Sequence, residues 1–280
     1  MFKLAAERRE IQLTAPSGIA AGGTAVFKLP QGLRYHDLYL EYGGTLATNY
    51  GEIRIKANTE IIHRYDATER DMMNETDGLA AADGVLTIPL DGRAMRSREG
   101  EEETALNVGR PAGVEPQPNE IISAELHVDI KAGATGESLK LRATVSNALP
   151  GGAGLVRHIV RTTRSAGGAG EFDINDLDYN RPNRAMIRRF FLKTTALDTI
   201  TIERDNRKIF ERSKALNDLV LADGGYRSQQ TGWTLIDKSE MGYAGSVIHT
   251  AGAQDFLLRL NMTGAASFPI LTEYLGGLVG

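Results

Sequence analysis

Hydrophobic and polar residues alternate along many short segments of the chain, and helical spacing is rare. The clearest alternating segments are IRIKA (53–57), AELHVDI (124–130), LKLRATV (139–145), TITIER (199–204) and DFLLRLNM (255–262). Successive side chains of a strand point to opposite faces, so each segment predicts a strand with one apolar face. Glycine-rich clusters such as AAGG, AGATG and LPGG separate the segments. This spacing of short strands favours an antiparallel sandwich or barrel.

The second half of the chain repeats the pattern of the first half at an offset of 147 residues. TIERDNRKIFERSKALNDL (201–219) and its counterpart at 54–72 each contain a strand, a polar turn, a returning strand and the start of a helix. The matched positions are Ile53 with Ile200, Ile55 with Ile202, Asn58 with Asp205, Ile62 with Ile209, Asp71 with Asp218 and Met72 with Leu219. Such a repeat predicts two similar domains in tandem.

Each copy also predicts one short helix after the returning strand. In the second copy, Leu216, Leu219 and Val220 stand at positions i, i+3 and i+4, which is the spacing of one helix face. The first copy has Met72 at the matching place, preceded by residues that would form a Thr68-to-Asp71 capping box.

Other segments extend the repeat. HDLYLEYGG (36–44) matches IRRFFLKTT (187–195), and LKLRATV matches PILTEYL near the end of the chain. We therefore predict an N-terminal arm at 1–10, a first domain at 11–150 and a second domain at 151–280. The domains meet near NALPGGAG (147–154), which is too short to let them separate freely.

The first domain contains eight candidate strands. We place them near 10–15, 24–29, 36–43, 52–57, 60–65, 84–90, 120–130 and 138–146. Eight strands with one short helix in a long connection are typical of a jelly roll, because its crossings between two sheets need some long loops. The predicted fold class is all-β, with two tandem eight-stranded jelly rolls.

One connection, residues 93–119, is unusually long and has no sustained period. It carries a glutamate run at Glu99, Glu101, Glu102 and Glu103 and ends in alternating prolines. Loops of this length in compact domains tend to be functional or disordered. We keep two interpretations: a solvated loop, or a segment that becomes ordered against a neighbouring subunit.

Charge and composition exclude some classes of protein. The 280 residues include 32 Lys and Arg against 36 Asp and Glu, so the formal net charge is −4, and a specific nucleic-acid partner would need a basic excess. Cysteine is absent, which excludes disulfides and thiolate metal sites and suits a reducing compartment. The N-terminus, MFKLAAERREIQL, has no apolar core of a signal peptide, so we predict a protein that is not secreted.

The chain offers little catalytic chemistry, and we predict no enzyme. GIAAGGT (18–24) lacks the lysine of a phosphate-binding loop, so it is interpreted as a turn. A triad of Ser246, His249 and Asp255 would lack the Gly-x-Ser-x-Gly elbow. The five histidines, which would be needed for a metal-binding jelly roll, are scattered singly without an HxH motif. They are His36, His63, His127, His158 and His249.

Two charged segments could still bind a partner. DINDLD offers Asp173, Asn175, Asp176 and Asp178 as oxygen ligands, although it lacks the glycine and the distal glutamate of an EF-hand loop. A structural calcium ion is therefore kept as an alternative to a simple turn. The arginine-rich strand at 184–193 could meet an acidic partner. Its neighbours Arg188 and Arg189 are expected to point to opposite faces, which would divide the patch.

Several motifs, taken in order, resemble the major capsid proteins of the corticoviruses, tailless icosahedral phages with an internal membrane. They are IAAGGTAVFKLPQG (19–32), HDLYLEYGG (36–44), KALNDL (214–219) and TEYLGG (272–277), and the similarity runs from about residue 11 to 277. The resemblance implies a double jelly-roll protein that forms homotrimers. Three chains with two lobes each would give a pseudo-hexagonal unit that tiles an icosahedral shell.

The resemblance also implies the partners of the protein. They are other copies of the chain, neighbouring trimers, other capsid and vertex proteins, and the internal viral membrane at the inner face. Localisation in the virion and assembly in the host cytoplasm would follow. The alternative function is a tandem carbohydrate-binding module, in which Trp233 and the nine tyrosines would supply aromatic platforms.

Overall fold

The computed structural model describes residues 7–279. Residues 1–6 of the predicted N-terminal arm lie outside the described residues. Arg9 and Glu10, which we also assigned to the arm, instead form the first half of a strand because they pair with Val145 and Thr144.

The first half of the chain folds into nine strands and three helices. They are β1 (Arg9–Gln12), β2 (Thr24–Leu29), β3 (Leu33–Tyr42), α1 (Leu46–Asn49), β4 (Tyr50–Ala57), β5 (Glu60–Asp66), α2 (Ala67–Thr76), β6 (Val85–Pro89), α3 (Arg98–Glu102), β7 (Leu106–Val108), β8 (Ala124–Ile130) and β9 (Leu139–Asn147). All eight predicted strands are present, and β7 is an additional short strand inside the long connection.

The second half repeats this order with one α-helix and one short 3-10 helix, Pro182–Arg184. Its other elements are β10 (Val156–Ala166), β11 (Gly170–Ile174), β12 (Met186–Leu192), β13 (Leu197–Arg204), β14 (Arg207–Ser213), α4 (Lys214–Gly224), β15 (Thr234–Asp237), β16 (Ile248–His249), β17 (Phe256–Met262) and β18 (Ala266–Gly276).

The strand order confirms the predicted double jelly roll. The first roll consists of the sheets β1-β9-β3-β6 and β2-β8-β4-β5, and the second roll consists of β10-β18-β12-β15 and β11-β17-β13-β14. The short strand β7 lies beside β3, and β16 lies beside β12. Each roll therefore has two four-stranded sheets facing each other across an apolar core, as a jelly roll requires.

The repeat seen in the sequence also determines fine details of the backbone. Asn58 and Asp205, the matched turn residues, both have a left-handed conformation, with φ of 55° and 52°. Asn58 Oδ1 accepts hydrogen bonds from the amides of Ile122 and Ser123, and Asp205 Oδ1 accepts them from the amides of the two residues that precede β17. Asparagine and aspartate tolerate this conformation better than most residues, which explains why this turn is polar in both copies.

The two long helices begin at equivalent caps. Asp66 caps α2 and Ser213 caps α4, each accepting a hydrogen bond from a backbone amide of the first turn. The predicted capping box from Thr68 to Asp71 is wrong, since the box is formed by Asp66 and Glu69, two residues earlier. The cap belongs to the last residue of β5, so the helix begins without an intervening loop.

The long connection at 93–119 contains ordered structure that contacts its own chain. Within it, β7 pairs with Leu33–Tyr35 of β3, and its residues are buried. The Asn107 side chain donates to the carbonyls of Leu149 and Gly152, so it holds the segment that links the two rolls. A fully solvated loop is therefore a wrong description of residues 104–109. The stretch from 112 to 119 is largely exposed.

Candidate functional site: the buried charge network between the rolls

The two rolls are joined by a continuous sheet. The edge strand β5 of the first roll pairs in parallel with the edge strand β10 of the second, at His63 and Ile159. Helix α2 of the first roll lies over the outer face of β10, β18 and β12, where it ion-pairs with Arg161 and Arg189. Phe191, Leu235 and Leu271 from this face belong to the same apolar cluster as the first roll's core. The sheet, the helix and this cluster together form the internal joint.

Arg189 lies at the centre of the internal joint. Its guanidinium donates two hydrogen bonds to the carboxylate of Asp77, at 2.5 and 3.0 Å, and a third to Glu273 at 2.8 Å. Asp77 ends helix α2 in the first roll, whereas Arg189 and Glu273 lie on β12 and β18 of the second. All three side chains are buried, so a single cation neutralises carboxylates from both rolls.

A second arginine completes the neutralisation of Asp77. Arg227, in the loop after α4, donates to Asp237 at 2.6 Å and lies 3.6 Å from Asp77. Asp237 also accepts hydrogen bonds from the amide and hydroxyl of Ser239. The carboxylates therefore share two buried guanidinium groups and have further donors, which is the arrangement in which buried charge is tolerated.

The position of Arg188 corrects the sequence prediction for this strand. A β-bulge between Ile187 and Arg189 breaks the alternation of β12. As a result both arginines reach Glu273, with Arg188 Nη1 at 3.5 Å, and Arg188 also pairs with Glu103 of the long connection at 2.6 Å. The expectation that the two side chains lie on opposite faces is wrong, because a bulge places adjacent residues against one partner residue.

The pKa values of the buried carboxylates follow from these neighbours. Burial alone would raise the pKa of Glu273, but Arg189, Arg157 and Arg188 outweigh burial and hold it well below its usual range. Burial and the opposing effect of Arg189 and Arg227 likewise leave the pKa of Asp77 lowered. Both groups are therefore ionised at neutral pH, and the internal joint is held by charge.

The acidic partner predicted for the arginine-rich strand lies largely within the chain itself. Asp77 and Glu103 come from the first roll, and they meet Arg189 and Arg188 across the internal joint. The sequence showed the basic strand but gave no sign of these two partners, which lie in a helix cap and a loop. The tandem repeat could not reveal them either, since the position of Asp77 corresponds to Gly224 in the second copy.

The five histidines do not gather at a site. Burial lowers the pKa of His63, which lies in the internal joint near Arg157 and Arg70. Burial also lowers the pKa of His158, whose Nε2 lies 2.8 Å from the carbonyl oxygen of Gly277, and that of His36, to about 4. Among residues 7–279 there is no group of three or more histidines, aspartates or glutamates able to hold a metal ion.

The acidic segment considered for calcium is neutralised by arginines instead. Asp173 accepts two hydrogen bonds from Arg259, Asp176 pairs with Arg164, and Asp178 pairs with Arg181 and Arg184. These ion pairs use the carboxylate oxygens that a calcium ion would require.

The remaining candidate residues are also separated or buried. Within the described part of the chain, no hydrogen bond joins the side chains of Ser246, His249 and Asp255. Trp233 is buried, which removes the strongest candidate for a sugar-binding platform. GIAAGGT forms the turn before β2, with Gly18 and Gly22 at positive φ. Residues 7–279 also contain no helix that is both long and apolar enough to cross a membrane.

Two family models match the chain and divide it at the linker between β9 and β10. The viral coat protein P2 N-terminal domain matches residues 10–146, and the viral coat protein P2 C-terminal domain matches residues 156–278. The chain belongs to the viral coat protein P2 family. It is a structural protein of a viral capsid and not an enzyme, as predicted, and it is a component of the virion.

Solved structures show the same fold in other capsid proteins. The major capsid protein P2 of bacteriophage PM2 is 21% identical with a TM-score of 0.85, and the match covers 97% of this chain and 98% of that one. The STIV major capsid protein, from Sulfolobus turreted icosahedral virus, is 11% identical with a TM-score of 0.63 over 96% of both chains. The PBCV-1 capsid protein is 9% identical with a TM-score of 0.64, covering 98% and 95%. No curated protein sequence matches the chain.

Removing the central arginine of this coat protein should weaken the internal joint. Arg189→Met leaves Asp77 and Glu273 buried without their main counter-charge, so we expect the free energy of unfolding to fall by about 3–5 kcal/mol. Urea unfolding monitored by circular dichroism measures this loss. The control is Arg64→Met, which breaks an exposed pair with Glu52 and should change stability far less. Equal losses in both variants would contradict a central role for Arg189.

Acid should weaken the same joint. The pKa values of Glu273 and Asp77 are lower in the folded chain than in the unfolded chain, so the unfolded chain binds more protons as the pH falls. Their stabilising contribution is present above a pH of about 5 and declines progressively as the pH falls from there toward their lower folded-state pKa values. Thermal unfolding between pH 3 and 7 should show a steeper decline for the natural protein than for Glu273→Gln. Parallel pH curves would contradict this assignment.

Proposed function

We propose that this coat protein assembles as a homotrimer with six similar lobes, and that these trimers tile an icosahedral shell. The observation that carries the proposal is the internal joint, which holds two similar rolls side by side in one orientation. Their shared sheet and buried ion pairs leave little freedom between them. Three such pairs around a three-fold axis give a pseudo-hexagonal unit, and hexagonal units can cover a surface without gaps.

Chain topology supports a ring in which all lobes stand in the same direction. Strands β5 and β10 each start at the end of their roll that lies near the linker between β9 and β10, and they pair in parallel, so the second roll repeats the orientation of the first. A further copy joined in the same manner would continue this direction. Repeated contacts of this kind between unlike surfaces close into rings under rotational symmetry.

The position of each trimer in the shell determines its further partners. Neighbouring trimers meet along the sides of the pseudo-hexagon, and other capsid and vertex proteins occupy positions where this tiling cannot continue. Assembly in the host cytoplasm needs no secretion of the chain. A specific nucleic-acid partner is not part of the proposal, since the formal net charge is −4.

One end of the two rolls is suited to face an internal membrane. This end, the base, carries the linker between β9 and β10, the long connections and the C-terminal residues. Most of the exposed large apolar side chains lie there, whereas Ile19 and Val85 lie at the opposite end. Those at the base are Ile61, Ile122, Leu149, Met241, Tyr243 and Val279. We assign the base to the inner face of the shell because apolar side chains favour the interface of a lipid bilayer.

The mass of the purified protein tests the trimer. Light scattering after size exclusion should give three times 30.4 kDa, and negative-stain images should show flat particles with six lobes. A monomer that binds glycans would contradict the proposal and would support the carbohydrate-binding alternative.

Vesicle flotation tests whether the base binds a membrane. The natural protein should float with vesicles of phosphatidylethanolamine and phosphatidylglycerol, and Ile122→Glu should reduce the bound fraction several-fold because it places a charge at the base. Ile19→Glu is the matched control, since it makes the same change at the opposite end. Equal flotation of the two variants, or no flotation of the natural protein, would overturn the assignment of the base.

A further inference from the structure

Helix α4 leaves apolar side chains uncovered. Its residues Leu216 and Leu219 are 47% and 57% exposed. They lie three residues apart and therefore on one face, which continues to Asp223 one turn later. We call Leu216, Leu219 and Asp223 the outer stripe of α4. The sequence predicted an apolar helix face here, and within the described chain nothing packs over it.

The equivalent stripe of α2 is covered. Because the caps Asp66 and Ser213 are equivalent, the outer stripe of α4 corresponds to Glu69, Met72 and Thr76 of α2. These residues are only 2%, 8% and 1% exposed, since the second roll covers them at the internal joint. One helix of the repeat therefore has a partner within the chain, whereas the other presents the same face to solvent.

The strand edges show the same difference. Strand β5 pairs with β4 on one side and with β10 on the other. Its counterpart β14 pairs with β13 alone among the described residues, and β1, the counterpart of β10, pairs there with β9 alone. Among the unpaired strand edges of the described chain, β14 and β1 are therefore the two that correspond to the paired edges of the internal joint. Unpaired edges readily accept another strand.

We infer that α4 and β14 of one copy bind β1 and the outer face of the β1-β9-β3-β6 sheet of a second copy. The contact repeats the geometry that α2 and β5 use at the internal joint. The inference deepens the proposed trimer and rests on it, because a closed ring requires one such contact between each pair of neighbouring chains. We call this contact the subunit joint.

The repeat predicts which residues meet in the subunit joint. Arg161 and Gln12 occupy equivalent positions, opposite Leu271 in β18 and Arg142 in β9. The internal pair Glu69 and Arg161, whose side chains are 2.9 Å apart, therefore corresponds to Leu216 and Gln12 of the second copy. At the other end of the helix, Asp77 and Arg189 correspond to Gly224 and Asp37. Helix α4 would thus cross the second copy from β1 to β3.

The outer face of the β1-β9-β3-β6 sheet, which would receive α4, carries different side chains from the equivalent face of the β10-β18-β12-β15 sheet. Tyr39 and Arg142 occupy the positions that Phe191 and Leu271 hold in the second roll. Tyr39 is half-buried, and its hydroxyl lies 3.2 Å from that of Thr144, so its ring can cover apolar side chains. The aliphatic stem of Arg142, whose head is fixed by Glu41, can do the same. Leu219 at the middle of the stripe would lie over these two residues.

The two kinds of joint are held by different forces. At the positions of Arg189, Asp77 and Glu273, the subunit joint has Asp37, Gly224 and Thr144. The buried ion network of the internal joint therefore has no counterpart there. Binding between chains would depend on Leu216 and Leu219 of the stripe and on strand pairing, so the ring would alternate three joints that contain a buried ion network with three joints that lack one.

A charge on the stripe tests the subunit joint. Leu219→Glu should reduce the mass in light scattering from three chains to one, while circular dichroism and thermal unfolding of the chain remain those of a folded protein. The control is Ile19→Glu, because Ile19 is 40% exposed and lies in the loop between β1 and β2, outside both α4 and the base. This control should remain trimeric.

Cross-linking tests the pairing directly. The chain contains no cysteine, so Gln12→Cys with Leu216→Cys provides the sole two thiols. A short bismaleimide should link them between chains and give covalent trimers on a denaturing gel, whereas Gln12→Cys with Ile122→Cys should give none.

The outcomes separate the two proposals. A natural protein that is monomeric in light scattering overturns the trimer and, with it, the subunit joint. A natural trimer that persists in Leu219→Glu and yields no Gln12–Leu216 cross-link overturns the subunit joint alone.

Discussion

The architecture depends on neutralising charge that is buried between the two rolls. Arg189 cannot be buried on the outer face of its sheet without carboxylates, and one of them, Asp77, is supplied by the other roll. Separating the rolls would leave these groups without their partners. The pairing therefore fixes the direction of one roll relative to the other. A capsid subunit needs this property when its own shape sets the angle between neighbouring lobes.

The two rolls share one fold but differ in the side chains on their outer faces. Their equivalent helices, α2 and α4, therefore suit different contacts. Helix α2 carries Glu69 and ends at Asp77, so it suits a charged surface. Helix α4 has leucines on the corresponding stripe and Gly224 near its end, so it suits an apolar one. The cores of both rolls remain ordinary alternating strands. In the proposed ring, a few surface positions on a shared scaffold of strands, caps and turns would thus decide which joint forms.

The sequence predicted the fold well because its signals are local. Alternation located the strands, the match of Asn58 with Asp205 located the equivalent turns, and the offset showed the duplication. The internal joint could not be predicted in this manner. Its partners Asp77, Arg189 and Glu273 are far apart in sequence, and the bulge that brings Arg188 to the same carboxylate interrupts the alternation used to place side chains. Likewise, the burial of β7 depends on its pairing with β3.

We expect the same joint geometry within and between chains. Electron cryo-microscopy of the purified protein tests it most directly, at a resolution that traces strands. The particle should have a three-fold axis and six lobes, with β14 of each chain parallel to β1 of the next and with α4 covered. A particle in which α4 faces solvent, or in which chains meet through a two-fold axis, would contradict it.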